Sequence, residues 1–348
     1  MQHREINEMI KSRISELEAK ESEFKKAGKT PTLPQLTNDQ NPFQEIGFVE
    51  FTKKEIIRHR THSQFRTAIK KEHLISKVLN YYGSEDLRFK DITVTFLKGY
   101  ESHWTSRGNM INTIQTDFKN LRAIIRNAIQ EDIIPADQNP FTRYRIKSAK
   151  TFRAKLDETE IQAMLYLDLE YGSDVWHAKN MFLLSFFCAG VRFGDLLQLK
   201  WKNVSGDHIT YVMDKTENPH AVLLTPEAKS ILSYYKKPIV NQDHFIFPFL
   251  KNNVDYSDPE FLTRQIGSKN TAINKYLKTI CKKAGITKKV SFHISRHSFA
   301  YMAIRKTGDL YGVSKSLNHK NLNTTEIYLK ETDPEAADSL MKRIFIQV

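Results

Sequence analysis

The sequence predicts a mainly α-helical protein with one small β-hairpin, an α+β fold divided into two domains. Apolar residues recur every three or four positions in several segments, which is the period of an amphipathic helix. Two strand-prone segments, 209–212 and 221–224, flank a polar stretch, which is typical of a hairpin. The 348 residues exceed what one hydrophobic core usually serves, so two domains and a short extension are expected.

The chain begins with a predicted amphipathic helix over residues 1–28. Apolar residues recur at helical spacing with charged residues between them, at Ile6, Met9, Ile10, Ile14 and Leu17. Residues 29–44 contain three prolines and lack periodicity, which is typical of a linker. A new domain is therefore expected to start after this segment.

Residues 45–146 are predicted to form a compact helical domain. We expect three helices, which lie near 50–81, 91–106 and 109–130 and close at Gly83, at Gly108 and before Pro135. The third carries its apolar residues on one side, with Lys119, Arg122 and Arg126 largely on the other. This pattern predicts a core-facing helix with a basic outer face.

Positive charge is concentrated in this first domain. The chain has 53 Lys and Arg against 40 Asp and Glu, a net charge of +13. Residues 51–150 alone hold 19 basic and 10 acidic residues. The surplus favours a polyanionic partner such as nucleic acid, and lysine added for solubility is the alternative interpretation.

A basic run leads through a predicted interdomain linker at 147–156. It begins just after Pro140 and consists of Arg143, Arg145, Lys147, Lys150, Arg153 and Lys155. Solvated linker charge is one interpretation. A strap that lies along a phosphate backbone is the other, and it agrees better with the net charge.

The second domain is predicted over residues 157–348. It opens with Asp157 and Glu160 at the spacing of a capping box. A mostly apolar helix is expected at 180–199, ending in the region of Arg192, before the hairpin. Further helices are expected at 225–235, 270–284, 294–306 and 323–330.

The composition argues against several classes of protein. Cys188 and Cys281 lack metal-ligand spacing, which indicates free thiols in a reducing compartment and suggests no zinc site. No apolar run reaches about 18 residues, and the chain does not start with a charged segment that leads into an apolar one. Neither membrane insertion nor secretion is therefore indicated, and we expect a cytoplasmic protein.

Two cations of the second domain are candidate site residues. Arg192 follows an apolar helix and Gly190, and on this segment alone a buried arginine paired with Asp195 is an equally good interpretation. Lys215 lies at the polar tip of the hairpin, where an exposed turn lysine is the more common explanation. Neither residue by itself indicates a function.

Further candidates lie towards the carboxyl end. His293 and His297 have the i, i+4 spacing of zinc proteases, but Ile294 replaces the Glu general base and Arg296 would oppose a metal. The spacing instead puts His293 and Arg296 one turn apart, where both can contact one anionic group, while His297 packs inward. His319 and then Tyr328 follow, and a single tyrosine is usually a packing residue.

The order of these residues resembles the tyrosine recombinases of the phage integrase family. The matching positions are Arg192, Lys215, His293, Arg296, His319 and Tyr328. The resemblance covers residues 45–335 and implies a helical SAM-like core-binding domain and a catalytic domain, which close around DNA as a clamp. Asn318 stands where the family usually has Gly, and Asn also tolerates left-handed backbone angles.

The resemblance also implies a role for each residue. Tyr328 attacks the phosphate, His293 is its base, and Lys215 protonates the departing 5′ oxygen. Arg192 and Arg296 bind the non-bridging oxygens, and His319 donates a hydrogen bond to the phosphate. The 3′-phosphotyrosine conserves the bond energy, so no metal, cofactor or ATP is expected.

The partners expected from the resemblance are double-stranded DNA at specific sites, further copies of this chain, generally four in all, and an accessory DNA-bending protein. We expect DNA contacts from the basic residues Lys119, Arg122, Arg126, Arg143, Arg145, Lys147 and Lys150. The sequence is similar to integrases of bacterial mobile elements without the usual N-terminal arm-binding domain. The protein is then expected in the bacterial cytoplasm, associated with the nucleoid when it is bound to DNA.

Three alternatives stay open at this stage. A type IB topoisomerase shares the chemistry but relaxes supercoils, and a DNA-binding regulator would have kept the fold and lost catalysis. A metal-dependent nuclease has no carboxylate cluster in its favour, because none suited to Mg²⁺ is found in the sequence.

Overall fold

The computed structural model describes residues 2–28, 30–31, 46–149, 154–214, 218–319, 321–322 and 324–326. They fall into two compact units, Met1–Lys150 and Thr151–Val348. Both are mainly helical and the second also contains a small antiparallel sheet, as the sequence predicts. Within the described ranges, none of the helices has a stretch long and apolar enough to span a lipid bilayer.

In its described part, the first unit contains the helices α1 Gln2–Lys26, α2 Phe48–Thr61, α3 Phe65–Tyr82, α4 Val94–Ser106 and α5 Ile111–Gln130. Short 3-10 turns lie at Phe89–Asp91, Ala136–Gln138 and Pro140–Thr142. Helices α2 to α5 pack around one core that buries Phe48, Leu74, Tyr100 and Phe118. The predicted N-terminal helix is confirmed as α1.

The prediction of a single helix near 50–81 is wrong, because the chain forms two helices there. Ser63 has a left-handed backbone with φ of 56°, and it separates α2 from α3. No Gly or Pro marks this break in the sequence. The break lets α2 and α3 pack against each other, which one continuous helix could not do. Gly83, with φ of 84°, ends α3 as predicted.

Helix α5 confirms the predicted division into an apolar and a basic face. Ile114, Phe118, Leu121, Ile124 and Ile125 are buried in the core. Lys119, Arg122 and Arg126 are exposed on the opposite face. The burial of the apolar stripe holds the helix against α2, α3 and α4 and leaves the cations available to solvent.

A buried ion pair joins three helices of the first unit. Glu55 on α2 contacts Lys71 on α3, and both side chains are almost fully buried. Asn127 on α5 donates a hydrogen bond of 2.7 Å to the same carboxylate. Burial opposes the ionisation of Glu55, but hydrogen bonds from Lys71 and Asn127 outweigh it, so the pKa of Glu55 is lowered.

The described part of the second unit contains the helices α6 Glu158–Leu165, α7 Asp174–Phe187, α8 Phe193–Leu197, α9 Pro226–Ser233, α10 Pro259–Lys283, α11 Ile294–Thr307 and α12 Leu310–Ser316. Its strands are β1 Val204–Ser205, β2 His208–Val212 and β3 Pro219–Leu223, in the order β1-β2-β3, with a 3-10 turn at Trp201–Asn203. The predicted hairpin is confirmed as β2 and β3, with Tyr211 opposite His220.

Helix α7 is the centre of the second unit. It packs against α6, α8, α9, α10 and α11, and its consecutive residues Met181, Phe182, Leu183 and Leu184 are all fully buried. A helix that is covered on every side needs no polar face, which explains its nearly continuous apolar sequence. Its carboxyl end leads directly to Arg192.

Two predicted helix boundaries in this unit are wrong. The helix expected at 180–199 is divided between α7, which starts after its N-cap Ser173, and the short α8. The helix expected at 270–284 starts at Pro259, where the Asp258 side chain accepts a hydrogen bond of 2.9 Å from the Glu260 N–H. Strand β1 and helix α12 were not predicted.

Other predictions for this unit are confirmed. The Asp157 carboxylate accepts from the Glu160 N–H at 2.9 Å, and the Glu160 carboxylate accepts from the Asp157 N–H at 2.9 Å, which makes the capping box. Helices α9 and α11 lie where the sequence predicts them. In the helix predicted at 323–330, residues 324–326 are helical, and residues 323 and 327–330 lie outside the described residues.

Candidate active site

A tight turn at the end of α7 sets the position of Arg192. Ala189 and Gly190 both have left-handed backbone angles, with φ of 56° and 70°, and the chain reverses there. The Ser185 hydroxyl donates to the Val191 carbonyl at 2.8 Å and closes the turn. Arg192 then adopts an extended backbone as the N-cap of α8.

Arg296 is buried against this turn. It is 5% exposed, and its Nη1 donates to the Gly190 carbonyl at 2.8 Å. Its Nη2 donates to the Leu317 carbonyl at the end of α12. A Cβ atom at Gly190 would lie 2.7 to 2.9 Å from atoms of Arg296, so this close approach requires glycine.

Arg192, His293 and Arg296 line one pocket of about 330 Å³. Asn270 and Asn274 of α10, together with Ser291 and Ser295, complete its polar lining. His293 is exposed and directly precedes α11, which carries Arg296. Two guanidinium groups and an imidazole around one cavity are suited to a phosphate, whose oxygens accept charge-assisted hydrogen bonds.

Asp195 lies beside the two arginines without pairing to Arg192. In the described part of the chain no ion pair joins Arg192 to Asp195, and Arg192 Nη1 donates instead to the Met213 sulfur at 3.0 Å. The Asp195 carboxylate is buried and accepts from the Asp214 N–H at 3.0 Å. Burial raises the pKa of Asp195, and the charges of Arg192 and Arg296 oppose that rise.

The contacts of Met213 with Arg192 and of Asp214 with Asp195 hold the base of the hairpin tip beside the arginines. Met213 and Asp214 follow β2 and are the last described residues before the tip of the hairpin. The Met213 N–H donates to the Asn218 carbonyl at 3.1 Å across the tip. Lys215, with residues 216 and 217, lies outside the described residues. The residue that directly precedes it is thus anchored to Asp195.

His319 follows α12 and lies two residues after Leu317, whose carbonyl accepts from Arg296. Asn318 has a left-handed backbone with φ of 49°, which asparagine tolerates. His319 is half-buried, and its Nδ1 lies 2.9 Å from the Thr325 hydroxyl. His319 is not part of the lining of the 330 Å³ pocket, and Tyr328 lies outside the described residues.

His297 packs inward, as predicted. It is 4% exposed and makes an edge-to-face contact with His293, with ring centroids 4.5 Å apart. Across the described ranges, no group of three or more His, Cys, Asp or Glu side chains is arranged to hold a metal ion.

Three polar residues near the arginines were not predicted. Asn270 and Asn274 lie one turn apart on α10 and are half-buried, but their spacing in the sequence does not show that α10 packs beside the arginines. His220 on β3 contacts the Tyr211 ring, with centroids 5.7 Å apart. Burial and the charges of Arg296 and Arg192 lower the pKa of His220.

A second basic site lies in the first unit. Lys119 and Arg122 of α5 and Arg143 and Arg145 of the following segment line one open groove of about 510 Å³. Arg126 lies on the same helix outside this lining, and Lys147 forms an ion pair of 3.0 Å with Glu101. Lys150 lies outside the described residues. The helix and the strap predicted separately therefore meet at one surface.

Comparisons with known proteins match both units. The model described as the phage integrase family matches residues 154–335, more than half of the chain. The model described as the phage integrase SAM-like domain matches residues 47–146.

Individual relatives agree with these matches. A tyrosine recombinase of Thermosipho africanus is 36% identical over 100 residues, which span 28% of this chain and only 35% of that protein. The tyrosine recombinase XerC of Leptospira interrogans is 26% identical over 259 residues, 72% of this chain and 76% of the relative. A solved structure of the Tn1549 transposon integrase with transposon right end DNA shares the fold, with a TM-score of 0.62, 15% identity and coverage of 86% of this chain and 99% of that one.

Proposed function

We infer that this chain, which belongs to the phage integrase family, is a tyrosine recombinase that cuts and rejoins DNA at specific sites, so as to integrate or excise a mobile element. The observation that carries this inference is the single pocket lined by Arg192, His293 and Arg296. Two guanidinium groups and an imidazole match the charge and shape of a phosphodiester.

The proposed reaction starts with attack by the Tyr328 oxygen on the scissile phosphorus. A tyrosine phenol has a pKa of about 10, so it needs a base, and His293 accepts its proton. A bond forms between the tyrosine oxygen and phosphorus while the bond to the 5′ oxygen breaks, which leaves a 3′-phosphotyrosine. Lys215 gives the departing 5′ oxygen its proton.

The remaining residues stabilise charge in this scheme. Arg192 and Arg296 donate to the non-bridging oxygens, and His319 donates one further hydrogen bond. Attack of a new 5′ hydroxyl on the phosphotyrosine reverses the step and joins another strand, so neither ATP nor a metal is needed.

Contacts at the edges of the pocket support the roles of Lys215 and Tyr328. Asp214, which precedes Lys215, bonds to Asp195 beside the arginines. Thr325, three residues before Tyr328, is hydrogen-bonded to His319. Leu317, two residues before His319, accepts a hydrogen bond from Arg296. The described residues that precede Lys215 and Tyr328 are therefore both connected by hydrogen bonds to residues beside Arg192 and Arg296.

The proposed substrate is double-stranded DNA, held in part by the groove that Lys119, Arg122, Arg143 and Arg145 line in the first unit. Arg126, Lys147 and Lys150 are proposed to add phosphate contacts. With one nucleophile in each protomer, exchange of both strands between two duplexes needs four protomers, so we propose a tetramer on DNA. We also propose an accessory DNA-bending protein, and action in the bacterial cytoplasm, at the nucleoid when the protein is bound to DNA.

The test is capture of an SDS-resistant protein–DNA adduct on nicked duplexes from a randomised library, with EDTA present. The wild-type chain is expected to form the adduct and Tyr328→Phe to form none while it still retains DNA. Tyr311→Phe, which changes an exposed tyrosine on α12, is the matched control and should behave as wild type. DNA retention without any wild-type adduct would favour a binding module, and an adduct with Tyr328→Phe would remove Tyr328 from the mechanism.

A further inference from the structure

The proposed reaction gives no role to the two asparagines of the pocket that Arg192, His293 and Arg296 line. Asn270 and Asn274 both lie on α10 and both line the pocket beside Arg192, His293 and Arg296. Both side chains are half-buried. Their neighbours Ile273 and Leu277 face the core, so the asparagines lie where the apolar face of α10 meets the pocket.

Hydrogen bonds fix the orientation of both amides. The backbone N–H of Phe292, the residue before His293, contacts Asn274 Oδ1 at 2.8 Å. A backbone N–H can only donate, so the oxygen of Asn274 must face it. The Asn274 amide nitrogen then donates to Asn270 Oδ1 at 3.2 Å. These hydrogen bonds run from Phe292 through Asn274 to Asn270, and the NH₂ group of Asn270 is the donor at the end of the chain.

We propose that Asn270 donates its side-chain N–H groups to a phosphate oxygen of DNA bound in the pocket. The inference rests on the proposed function, because it assigns Asn270 to the phosphate that the two arginines bind. A phosphate presents only acceptors, and the NH₂ group of an amide presents only donors. Asn274 is then a positioning residue, since it orients Asn270 and holds the backbone next to His293.

The isosteric variant Asn270→Asp tests this role. It keeps the oxygen that accepts from Asn274 but replaces the donor with a carboxylate oxygen, which repels phosphate. We expect kcat/KM for adduct formation to fall at least about tenfold, since a hydrogen bond to a charged group is replaced by repulsion. Gln265→Glu is the matched control, because it adds the same charge to α10 outside the pocket lining and should stay near wild type.

Methylphosphonate substrates identify the phosphate that Asn270 contacts. This substitution removes the negative charge from one chosen phosphate, so it should abolish most of the difference between Asn270→Asp and wild type when that phosphate is the contacted one. If the difference between Asn270→Asp and wild type disappears with a methylphosphonate at the scissile position, Asn270 is among the groups that act on the reacting phosphate. Rescue at a neighbouring position makes it a residue that positions the substrate.

Two results would overturn the proposal. One is an Asn270→Asp variant that reacts as wild type does. The other is a defect that persists with a methylphosphonate at every position, which would indicate a structural role, as would a lowered Tm. Affinity for intact duplex, measured by fluorescence anisotropy, tests Asn270 independently of cleavage. Failure of the proposed function would show as no adduct with the wild-type chain, whatever the affinities of the variants.

Discussion

Arg192 and Arg296 differ in how the protein uses their donors. Arg296 donates to two backbone carbonyls, those of Gly190 and Leu317, which are strong acceptors. Arg192 donates to the sulfur of Met213, a weak acceptor. In the proposed function a phosphate can therefore replace the Met213 partner of Arg192 readily, whereas Arg296 keeps its two backbone partners.

The substitution Arg192→Lys should separate charge from geometry. Lysine keeps the positive charge but cannot present two parallel donors. We expect single-turnover cleavage to fall by about a hundredfold and affinity for DNA to change little. Arg305→Lys, an exposed change on α11, is the control. Equal cleavage by Arg192→Lys and wild type would contradict the bidentate role.

Gly190→Ala should destabilise the second unit and disturb Arg296. The backbone is left-handed at this position, and a Cβ atom would meet Arg296 at 2.7 to 2.9 Å. We expect a loss of about 2 kcal/mol in the free energy of unfolding, measured with urea, together with slower adduct formation. Gly172→Ala isolates the backbone contribution, because Gly172 has a φ of 76° and open space around it. Equal losses in the two variants would show that the contact with Arg296 has no effect.

The arginines and the histidine of the pocket could be predicted from the sequence, but the two asparagines of α10 could not. Arg192, His293 and Arg296 share one pocket because the turn at Gly190 meets α11, and their order in the chain indicated a common phosphate ligand. The contribution of α10 depends on how that helix packs beside α11. Spacing within one helix carries no information about such a neighbour.

At the scale of elements, long periodic segments were predictable and short or interrupted ones were not. Helix α5 and the hairpin have clear periods of their own. Strand β1 has two residues and α12 has seven, which is too short for a period to be recognised. The break at Ser63 has no local marker, because the packing of α3 on α2 selects the left-handed backbone there.

Glu55→Gln should destabilise the first unit, because it leaves Lys71 charged and buried without its partner. We expect a loss of about 3 kcal/mol at pH 7 by urea denaturation. Glu72→Gln, which removes a partly exposed partner of Arg60, should lose less than about 1 kcal/mol.

The pH dependence of the same variant has a definite sign. The pKa of Glu55 is lowered in the folded state, so its stabilisation is present above the ordinary value of 4.5 and is lost as the pH falls through the folded value. Acid unfolding curves should therefore be shallower in Glu55→Gln than in wild type over that range. Parallel curves would show that the ion pair contributes nothing to acid stability.

At the scale of the whole molecule, the positive charge should appear in the salt dependence of DNA binding. Replacing Arg143 and Arg145 together with Gln removes two of the four cations that line the groove of the first unit. We expect the slope of log K against log salt to decrease by about 1.8, since each phosphate contact contributes about 0.9. Lys147→Gln, which removes one proposed contact from a lysine paired with Glu101, should decrease the slope by at most about 0.9. An unchanged slope in the double variant would place DNA away from this groove.

The anchoring of Arg296 has a further consequence, for the entropy of DNA binding. An arginine side chain that is free in the unbound protein must lose its rotamers when it takes hold of a ligand, at a penalty of about 0.5 to 1.5 kcal/mol. The carbonyls of Gly190 and Leu317 impose that loss on Arg296 during folding. In the proposed function, the phosphate contact of Arg296 then carries a smaller ordering penalty than that of an arginine that is free before binding.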